Sequence, residues 1–162
     1  MRSRIRLTLA LLLTSALSAV VAPASADDRT AHGGFTGEVK PVLYVADVEE
    51  RAPFFRDVLG FELLSYAGAE DDPYYADLAA GDLKFGLHEP SAPGQEARVG
   101  QQRIYFRVED LARHRARVAA WGAEPGPVVE TGWMDYFIVR DPDGHEIVFA
   151  VTDPERHPID PW

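Results

Sequence analysis

Glutamate and histidine side chains that could transfer protons or bind a metal ion stand in two strand-like segments of the sequence. Glu146 belongs to RDPDGHEIVFA, residues 140–150, in which a tight turn leads into an alternating run. His88 lies near the end of DLKFGLHE, residues 82–89. Because side chains alternate between the two faces of a strand, both residues are expected to face a cleft. Glu146 and His88 are therefore the candidate catalytic residues, although two ligands rarely suffice for a tight metal site.

Aromatic and charged side chains form the larger group of candidate ligand-binding residues. Strand alternation places most of them on the same face of their segments, and the others near the rim of the cleft. The candidates are Lys40, Tyr44, Arg103, Tyr105, Arg107, Trp133 and Glu146. Aromatic rings supply apolar area with a polar group, and arginine forms forked hydrogen bonds with carboxylates or phosphates. The mixture favours a small, partly planar, polar organic ligand, although these side chains would also suit ion pairs and a filled interior.

The other histidines are expected to be inert, and cysteine chemistry is excluded. We predict that His145 occupies the turn and faces away from the cleft, and that His114 lies on a basic helix face. His32 and His157 fall outside the periodic segments. The chain has no cysteine, which rules out disulfides, thiol catalysis and thiolate metal sites.

The segments that must position these residues follow one order twice. KPVLYVAD (40–47) alternates like a strand, and the helix VEERAPFFRDVLG (48–60) follows it. After a linker that contains proline and glycine (91–101), a strand (103–110) and a helix (111–122) recur. The remaining predicted strands are residues 61–67, 74–80, 82–89, 128–132, 134–141 and 145–153. Each half of the sequence thus reads strand, helix and three further strands.

The helix boundaries repeat in the same way. Asp47 and Asp110 each stand where an N-cap is expected, and Gly60 and Gly122 each stand where a helix ends. Pro53 lies late for a first turn and is expected to distort the start of the first helix. An internal duplication accounts for these matches better than chance. The sequence therefore predicts an α+β fold made of two βαβββ modules.

Three segments of the chain carry a family resemblance. VADVEERAPFFRDVLGFELLS, FRVEDLARHRARVAAWGAEP and ETGWMDYFIVRDPDGHEIVF resemble, in this order, the opening, the second opening and the closing hairpin of the vicinal oxygen chelate superfamily. Glyoxalase I, extradiol dioxygenases and bleomycin-binding proteins share that fold. The resemblance covers residues 38–152 and implies modules at 38–90 and 101–152. It also implies a curved sheet around a cleft and, for single-domain members, a homodimer.

The metal ligands that the resemblance implies are missing from this chain. The family's first histidine corresponds to Lys40, and its second to Arg103. The closing glutamate corresponds to Val148, so that Glu146 stands one pleat repeat away. Two cations and a hydrocarbon therefore replace three ligands. We predict that the cleft holds no metal and needs no other cofactor.

Residues 1–26 have the composition of a secretory signal peptide. Its first six residues carry three arginines and no acid, an interrupted apolar run follows, and Ala24-Ser25-Ala26 is a cleavage pattern. A membrane anchor is the alternative, but a spanning helix needs about 20 apolar residues. We therefore predict cleavage before Asp27, a secreted or extracytoplasmic location, and no membrane association afterwards.

The ends of the remaining chain carry no core pattern. Residues 27–37 are interpreted as a flexible leader, and the proline-bearing tail 153–162 either wraps over a partner subunit or is disordered. Loss of residues 1–26 removes three arginines and no acids, which changes the formal charge from −10 to −13. Such an acidic chain argues against nucleic acid as a partner, because phosphate binding requires clustered lysine and arginine.

Three functions agree with these observations. The leading hypothesis is an exported protein that binds a small organic molecule in a metal-free cleft, as the likeness to bleomycin-resistance proteins implies. The alternative is a glyoxalase- or dioxygenase-like enzyme, a lyase, isomerase or epimerase, that acts on a small oxygenated metabolite. Such an enzyme would use a metal to polarise two oxygens, or Glu146 or His88 to move protons. A third hypothesis is a structural module whose fold serves only dimerisation.

Overall fold

The computed structural model describes residues 39–152. The expectations for residues 1–26, 27–37 and 153–162 concern parts of the chain outside this range. The strands are β1 (Val42–Tyr44), β2 (Glu62–Ala69), β3 (Asp72–Ala80), β4 (Leu83–His88), β5 (Arg103–Arg107), β6 (Val129–Glu130), β7 (Met134–Arg140) and β8 (Glu146–Thr152), and the helices are α1 (Val48–Pro53) and α2 (Leu111–Ala120). No helix within 39–152 has the length and apolarity that crossing a bilayer requires.

The two halves of this range repeat one topology. The first module forms a four-stranded sheet in the order β1-β4-β3-β2, and the second forms one in the order β5-β8-β7-β6. In each sheet the first strand of the module pairs in parallel with the last, Val42 opposite Gly86 and Arg103 opposite Glu146. The other pairs are antiparallel. The predicted α+β fold of two βαβββ modules is confirmed.

The first helix changes its winding after its proline. Asp47 Oδ1 accepts a hydrogen bond from the Glu50 backbone N–H at 2.8 Å, so the predicted N-cap is present and α1 begins regularly. The chain continues beyond Pro53 as a π-helical segment, Phe54–Val58. Proline has no N–H to donate to the preceding turn, which favours a wider turn there. The distortion therefore follows Pro53, and the predicted distortion at the start of the helix was wrong.

Phenylalanine rings join the two modules. Phe61, which follows the π-helical segment, lies 4.6 Å from the Phe106 ring of β5 and 6.3 Å from the Phe149 ring of β8, centroid to centroid. Phe85 of β4 lies 5.5 Å from Phe106. All four rings are buried, and burial of one such side chain stabilises a fold by about 1.5–3 kcal/mol. Three of these rings, Phe61, Phe106 and Phe149, also border the cleft described below.

Polar side chains of the second module also hold the edge of β1. The Gln102 amide donates to the Val42 carbonyl and accepts from the Tyr44 N–H, both at 2.7 Å, as a neighbouring strand would. His145 Nε2 lies 2.8 Å from the Tyr44 carbonyl oxygen and 3.1 Å from the Gly100 backbone nitrogen, and its Nδ1 lies 3.2 Å from the Gln102 backbone nitrogen. His145 is fully buried. His145 lies at the end of the turn and outside the cleft lining, as predicted, but its ring is also a hydrogen-bonded link between the modules, which the sequence did not indicate.

Strand β1 is shorter than the sequence pattern predicted. The alternating run 40–47 predicted a longer strand than Val42–Tyr44. Pro41 cannot donate to a ladder, and Asp47 is already the N-cap of α1, so both ends are shortened. Burial alternates along this strand as the pattern predicted, since Leu43 is buried while Val42 and Tyr44 are partly exposed.

Candidate functional site

A cleft of about 710 Å³ lies between the turns of the first module and the start of α2. Leu59 and Phe61 border it on one side, and Leu83 of the β3–β4 hairpin borders it on another. Phe106 and Phe149 form its inner wall. Binding sites for small molecules commonly have volumes of about 300–1,000 Å³ and mostly apolar walls. The cleft therefore has the size of a small-molecule site, and its lining combines these apolar side chains with charged ones.

Two of the predicted ligand-binding residues lie in this cleft. Tyr105 and Arg107 line it from β5, on the strand face opposite to Phe106. Tyr105 is 36% exposed, whereas Phe106 is 6% exposed. The alternation of β5 thus presents a phenol and a guanidinium at the opening while it buries a ring beneath them.

Charged side chains surround the mouth of the cleft. Arg113 and Arg117 project from successive turns of α2, and Arg107 stands at the end of β5. Glu109 and Asp110 supply the opposite charge. Asp110 is partly committed, because its Oδ1 caps α2 by accepting from the Arg113 backbone N–H at 2.9 Å. The rim therefore carries charges of both signs.

His114 forms part of the cleft wall, contrary to the expectation that it was inert on a basic helix face. Its ring lies 4.3 Å from the Phe149 ring, centroid to centroid. Arg117 Nη2 lies 2.6 Å from His114 Nδ1. Burial lowers the pKa of His114 to about 4, and the positive charge of Arg117 contributes to the shift. The imidazole is consequently neutral at physiological pH.

The remaining ligand-binding candidates lie outside the lining of this cleft. They are Lys40, Tyr44, Arg103, Trp133 and Glu146. Trp133 lies between β6 and β7 and is 39% exposed. Strand alternation predicted the face of these residues, but it carries no information on which part of a long face becomes concave. Arg103, Glu146 and Tyr105 nevertheless lie together on one face of β5 and β8, where Arg103 contacts both other side chains.

Lys40 is held by a polar cluster on the first module. Its ammonium pairs with the Asp77 carboxylate, and it lies 5.2 Å from the centre of the Tyr75 ring. The Tyr75 hydroxyl donates to Asp77 Oδ1 at 2.9 Å. The hydrogen bond with Asp77 raises the pKa of Lys40. Burial alone would raise the pKa of Asp77, but the bonds from Lys40 and Tyr75 outweigh it and lower that pKa.

His88 and Glu146, the candidate catalytic pair, are not joined by a hydrogen bond. His88 is enclosed by the rings of Tyr44, Tyr74 and Tyr75 at centroid distances of 6.0, 5.8 and 5.7 Å. Its Nδ1 donates to the Glu89 carbonyl. The histidine is thus packed within an aromatic cluster of the first module.

Glu146 forms ion pairs within the second module. Arg103 Nε donates to Glu146 Oε2 at 2.6 Å, because the parallel pairing of β5 and β8 places the two residues side by side. Arg140 Nη2 donates to Oε1 at 2.7 Å. The hydrogen bond from Arg103 lowers the pKa of Glu146, with a further contribution from Arg140. Both carboxylate oxygens are therefore engaged with cations.

The family's metal positions do not fit a metal in this chain. Lys40 and Arg103 occupy the two histidine positions, and each cation already has a carboxylate partner. Val148, at the glutamate position, is fully buried and offers no ligand atom. A lysine ammonium and an arginine guanidinium are hydrogen-bond donors only, so neither offers a lone pair to a metal ion. We therefore derive no chemistry through a metal at these positions.

Another group of possible ligands lies in the turn before β8. Ligand atoms of Asp141, Asp143 and His145 lie within 4.8 Å of one another. Asp141 Oδ1 accepts from three backbone N–H groups of the turn, and Asp143 accepts from Arg51 Nε and from the Ala46 N–H, each at 2.8 Å. Most of these atoms already form hydrogen bonds within the turn or between the two modules.

The sequence contained one signal that would have identified His114. Leu111, His114 and Val118 follow the helical spacing of a buried stripe, and Leu111 and Val118 are in fact buried. Because basic residues surround His114 in the sequence, it was placed on a basic helix face instead of in this buried stripe. For Arg113 and Arg117 no such signal exists, since arginine on a helix is ordinarily solvated.

Several solved structures share this fold. TnmS3, an antibiotic-binding protein from Streptomyces sp. CB03234, is 21% identical with a TM-score of 0.61, over 74% of this chain and 99% of that one. The bleomycin-binding protein of Streptomyces verticillus, solved with copper(II)-bleomycin, is 24% identical with a TM-score of 0.58, over 71% and 95%. VPC_CASS1, from the mobile metagenome of V. Pseudocholerae, is 28% identical with a TM-score of 0.57, over 74% and 97%.

A comparison of the sequence with models of protein families shows which family the chain belongs to. No curated protein matches the chain significantly. The model of the Glyoxalase/Bleomycin resistance protein/Dioxygenase superfamily, however, matches residues 37–149. This match spans both modules and agrees with the topology of the two sheets. The chain is therefore a member of the glyoxalase/bleomycin resistance protein/dioxygenase superfamily.

Proposed function

We propose that the protein binds a small organic molecule in the cleft beside α2 and that this binding requires no metal. The observation that carries the proposal is the cleft itself, in which Phe106 and Phe149 form an apolar wall beneath Tyr105 and Arg107. Apolar walls with a few polar groups at the opening are typical of ligand sites. Fold likeness to an antibiotic-binding protein and to a bleomycin-binding protein supports the same role.

The side chains of the cleft are suited to holding a molecule rather than converting it. The neutral His114 has a pKa of about 4 and is a poor acceptor of protons at neutral pH. The arginines of the rim remain charged throughout the accessible pH range. The site thus offers apolar contact and fixed positive charge, which stabilise a bound ligand without a proton-transfer step.

A ligand screen with two matched variants tests this function. Leu83→Trp fills the cleft, since Leu83 lines it and is 37% exposed. Leu64→Trp places the same bulk on β2, away from the cleft, where Leu64 is 41% exposed. Molecules that raise the melting temperature of the wild type should do so for Leu64→Trp and not for Leu83→Trp. A screen without hits, or hits that Leu83→Trp leaves unchanged, would refute the proposal.

We infer further that the protein is exported and acts as a homodimer. Export rests on the signal-like residues 1–26, and the dimer rests on the usual organisation of single-domain members of the superfamily. Expression in a bacterial host tests both statements. We expect an extracytoplasmic product that begins at Asp27 by mass spectrometry and has twice the monomer mass by light scattering. A full-length cytoplasmic product or a monomer would contradict the corresponding statement.

The enzymatic alternative has weaker support. Glu146 would have to accept a proton, but hydrogen bonds from Arg103 and Arg140 lower its pKa and occupy its oxygens. His88 hydrogen-bonds through Nδ1 and packs among tyrosines. A lyase, isomerase or epimerase built on these two residues would lose turnover in both Glu146→Gln and His88→Gln. Sequestration of a ligand predicts that neither substitution alters binding in the cleft.

A further inference from the structure

Three of the four sheet edges in residues 39–152 have a feature that hinders pairing with another strand. Strand β6 has only two residues, and β5 has an arginine at each end. The outer edge of β1 is occupied by the second module, because the Gln102 amide spans it and Asp143 Oδ2 accepts from the Ala46 N–H at 2.8 Å. Short strands, charged residues and covering groups are the usual protection of exposed edges.

Strand β2 forms the fourth edge, and its outer side is open. The strand is eight residues long, Glu62–Ala69, and seven of these residues are exposed. It pairs with β3 on one side, and its other side makes no hydrogen bond within the described part of the chain. Register shifts lie between Leu63 and Ser65 and between Ala67 and Gly68. Such shifts bend a strand, but the outer N–H and C=O groups remain available.

The side chains of β2 add an apolar surface to this open edge. Residues 63–69 contain no charged side chain. Leu64 is 41% exposed and Tyr66 is 44% exposed. An uncharged edge is a template for another strand, because backbone hydrogen bonds supply the affinity and neighbouring side chains supply the specificity. The outer edge of β2 therefore has the properties of a docking surface for an extended chain.

Acidic residues at both ends of β2 determine the kind of partner. Glu62 begins the strand, and Glu70, Asp71 and Asp72 follow its end. Two copies of β2 paired antiparallel about their centres would bring Glu62 of one copy near Glu70 of the other. Like charges opposite each other destabilise a strand pair, whereas opposite charges stabilise it. The charges therefore favour a partner strand with a basic residue at each end over a second copy of this chain.

We propose that β2 docks an extended segment of another polypeptide, apolar in its middle and basic at both ends. The segment adds a fifth strand to the four-stranded first sheet. Its backbone pairs with the outer edge of β2, its middle residues contact Leu64 and Tyr66, and its basic ends lie near Glu62 and Glu70. This docking surface is separate from the ligand cleft, because no residue of β2 lines that cleft.

Fluorescently labelled peptides test this docking surface on the purified protein. The probe alternates valine and threonine, is long enough to span β2 and has a lysine at each end. Fluorescence anisotropy should show that it binds, and that binding is about tenfold weaker when glutamate replaces both lysines. A third peptide keeps the lysines but is N-methylated at two adjacent central residues. A methyl group then projects from each of its edges, so its affinity should also fall at least about tenfold.

Two matched variants locate the binding on β2. Tyr66→Lys places a cation on the open edge and should weaken binding of the lysine-ended peptide about tenfold. Val129→Lys makes the same change of net charge on β6, where Val129 is 38% exposed, and should leave the affinity unchanged. The double substitution Glu62→Lys with Glu70→Lys should reverse the preference between the two peptides. Circular dichroism melting confirms that each variant is folded, and the comparison of peptides on the wild type requires no variant.

Several results would overturn the inference. The lysine-ended peptide does not bind, or the N-methylated peptide binds equally well, which would indicate attraction by charge without strand pairing. Equal affinity for the lysine-ended and glutamate-ended peptides would remove the basic ends from the description of the partner. A concentration-dependent dimer of the wild type that Tyr66→Lys dissociates would show that β2 pairs with a second copy instead. None of these results bears on the cleft, because its ligands are tested separately.

Discussion

Glu146 shows how neighbouring residues determine what a side chain can do. Parallel pairing places it beside Arg103, and Arg140 reaches it from the adjacent strand β7. The hydrogen bond from Arg103 lowers the pKa of the carboxyl group, so the group is ionised well below neutral pH. A general base is most effective when its pKa lies near the working pH. Glu146 therefore acts as the anion of an ion-pair cluster.

Glu146→Gln should alter stability only slightly and leave ligand binding intact. Its arginine partners are largely exposed, and exposed ion pairs contribute about 0–1 kcal/mol. Urea denaturation and calorimetric titration of the variant measure the two quantities. A loss of ligand affinity beyond about tenfold would show that Glu146 belongs to the binding site after all.

His114 should make the stability of the protein depend on pH. Its pKa is about 4 in the folded protein, compared with an ordinary value of 6.5, because burial and Arg117 disfavour its charged form. Between these two values the unfolded chain binds more protons than the folded one, so a fall in pH favours unfolding. The contribution is fully present above the unfolded pKa and is lost as the pH falls toward the folded one.

A comparison with His114→Phe isolates this contribution, because the other titrating groups are common to both proteins. From pH 7 to pH 4 the wild type should lose about 1 kcal/mol more than the variant, a value reduced for the partial exposure of the ring. Urea unfolding at several pH values gives the measurement. Parallel pH profiles for the two proteins would show that His114 titrates normally.

At the scale of elements, the turn between β7 and β8 is the main polar contact between the modules. Its Asp143 binds Arg51 and the Ala46 N–H, and His145 binds the Tyr44 carbonyl. The linker before β5 approaches this turn closely. A Cβ on Gly100 would lie 2.0 Å from the Asp143 carbonyl oxygen, and Gly100 has a φ of +71°. Only glycine satisfies both conditions at this position.

Gly100→Ala should therefore destabilise the protein far more than Gly94→Ala. Gly94 also has a positive φ, +86°, but a Cβ there meets nothing within 4 Å. The control costs only the left-handed strain, about 1–2 kcal/mol. The clash at Gly100 should add at least about 2 kcal/mol to that value. Equal unfolding free energies for the two variants, measured in urea, would contradict the close approach of linker and turn.

The sequence predicted the elements better than their contacts. The caps at Asp47 and Asp110 were predicted because side-chain caps are local chemistry. The exposed face of Tyr105 was predicted because strand alternation is also local. The buried role of His145 was missed, since its partners Tyr44 and Gln102 are distant in sequence. Local patterns carry no information about such long-range pairing.

At the scale of the molecule, the internal duplication accounts for the repeated elements but not for the position of the cleft. Two βαβββ units in one chain predicted the two sheets and their shared topology. The cleft, however, lies where β5 and α2 meet the turns of the first module. Its position depends on how Phe61 and Phe85 pack against Phe106 and Phe149. This packing joins the modules, and the repeated pattern within each module does not specify it.

The central claim is that the cleft binds its ligand without a metal. The most direct test is the rise in melting temperature that a ligand from the screen produces, measured in parallel with and without EDTA. We expect the same rise in both conditions, because Arg107, Arg113 and Arg117 line the cleft, and arginine side chains offer no lone pair to a metal ion. A rise that disappears in EDTA and returns when a divalent metal is added back would contradict the account.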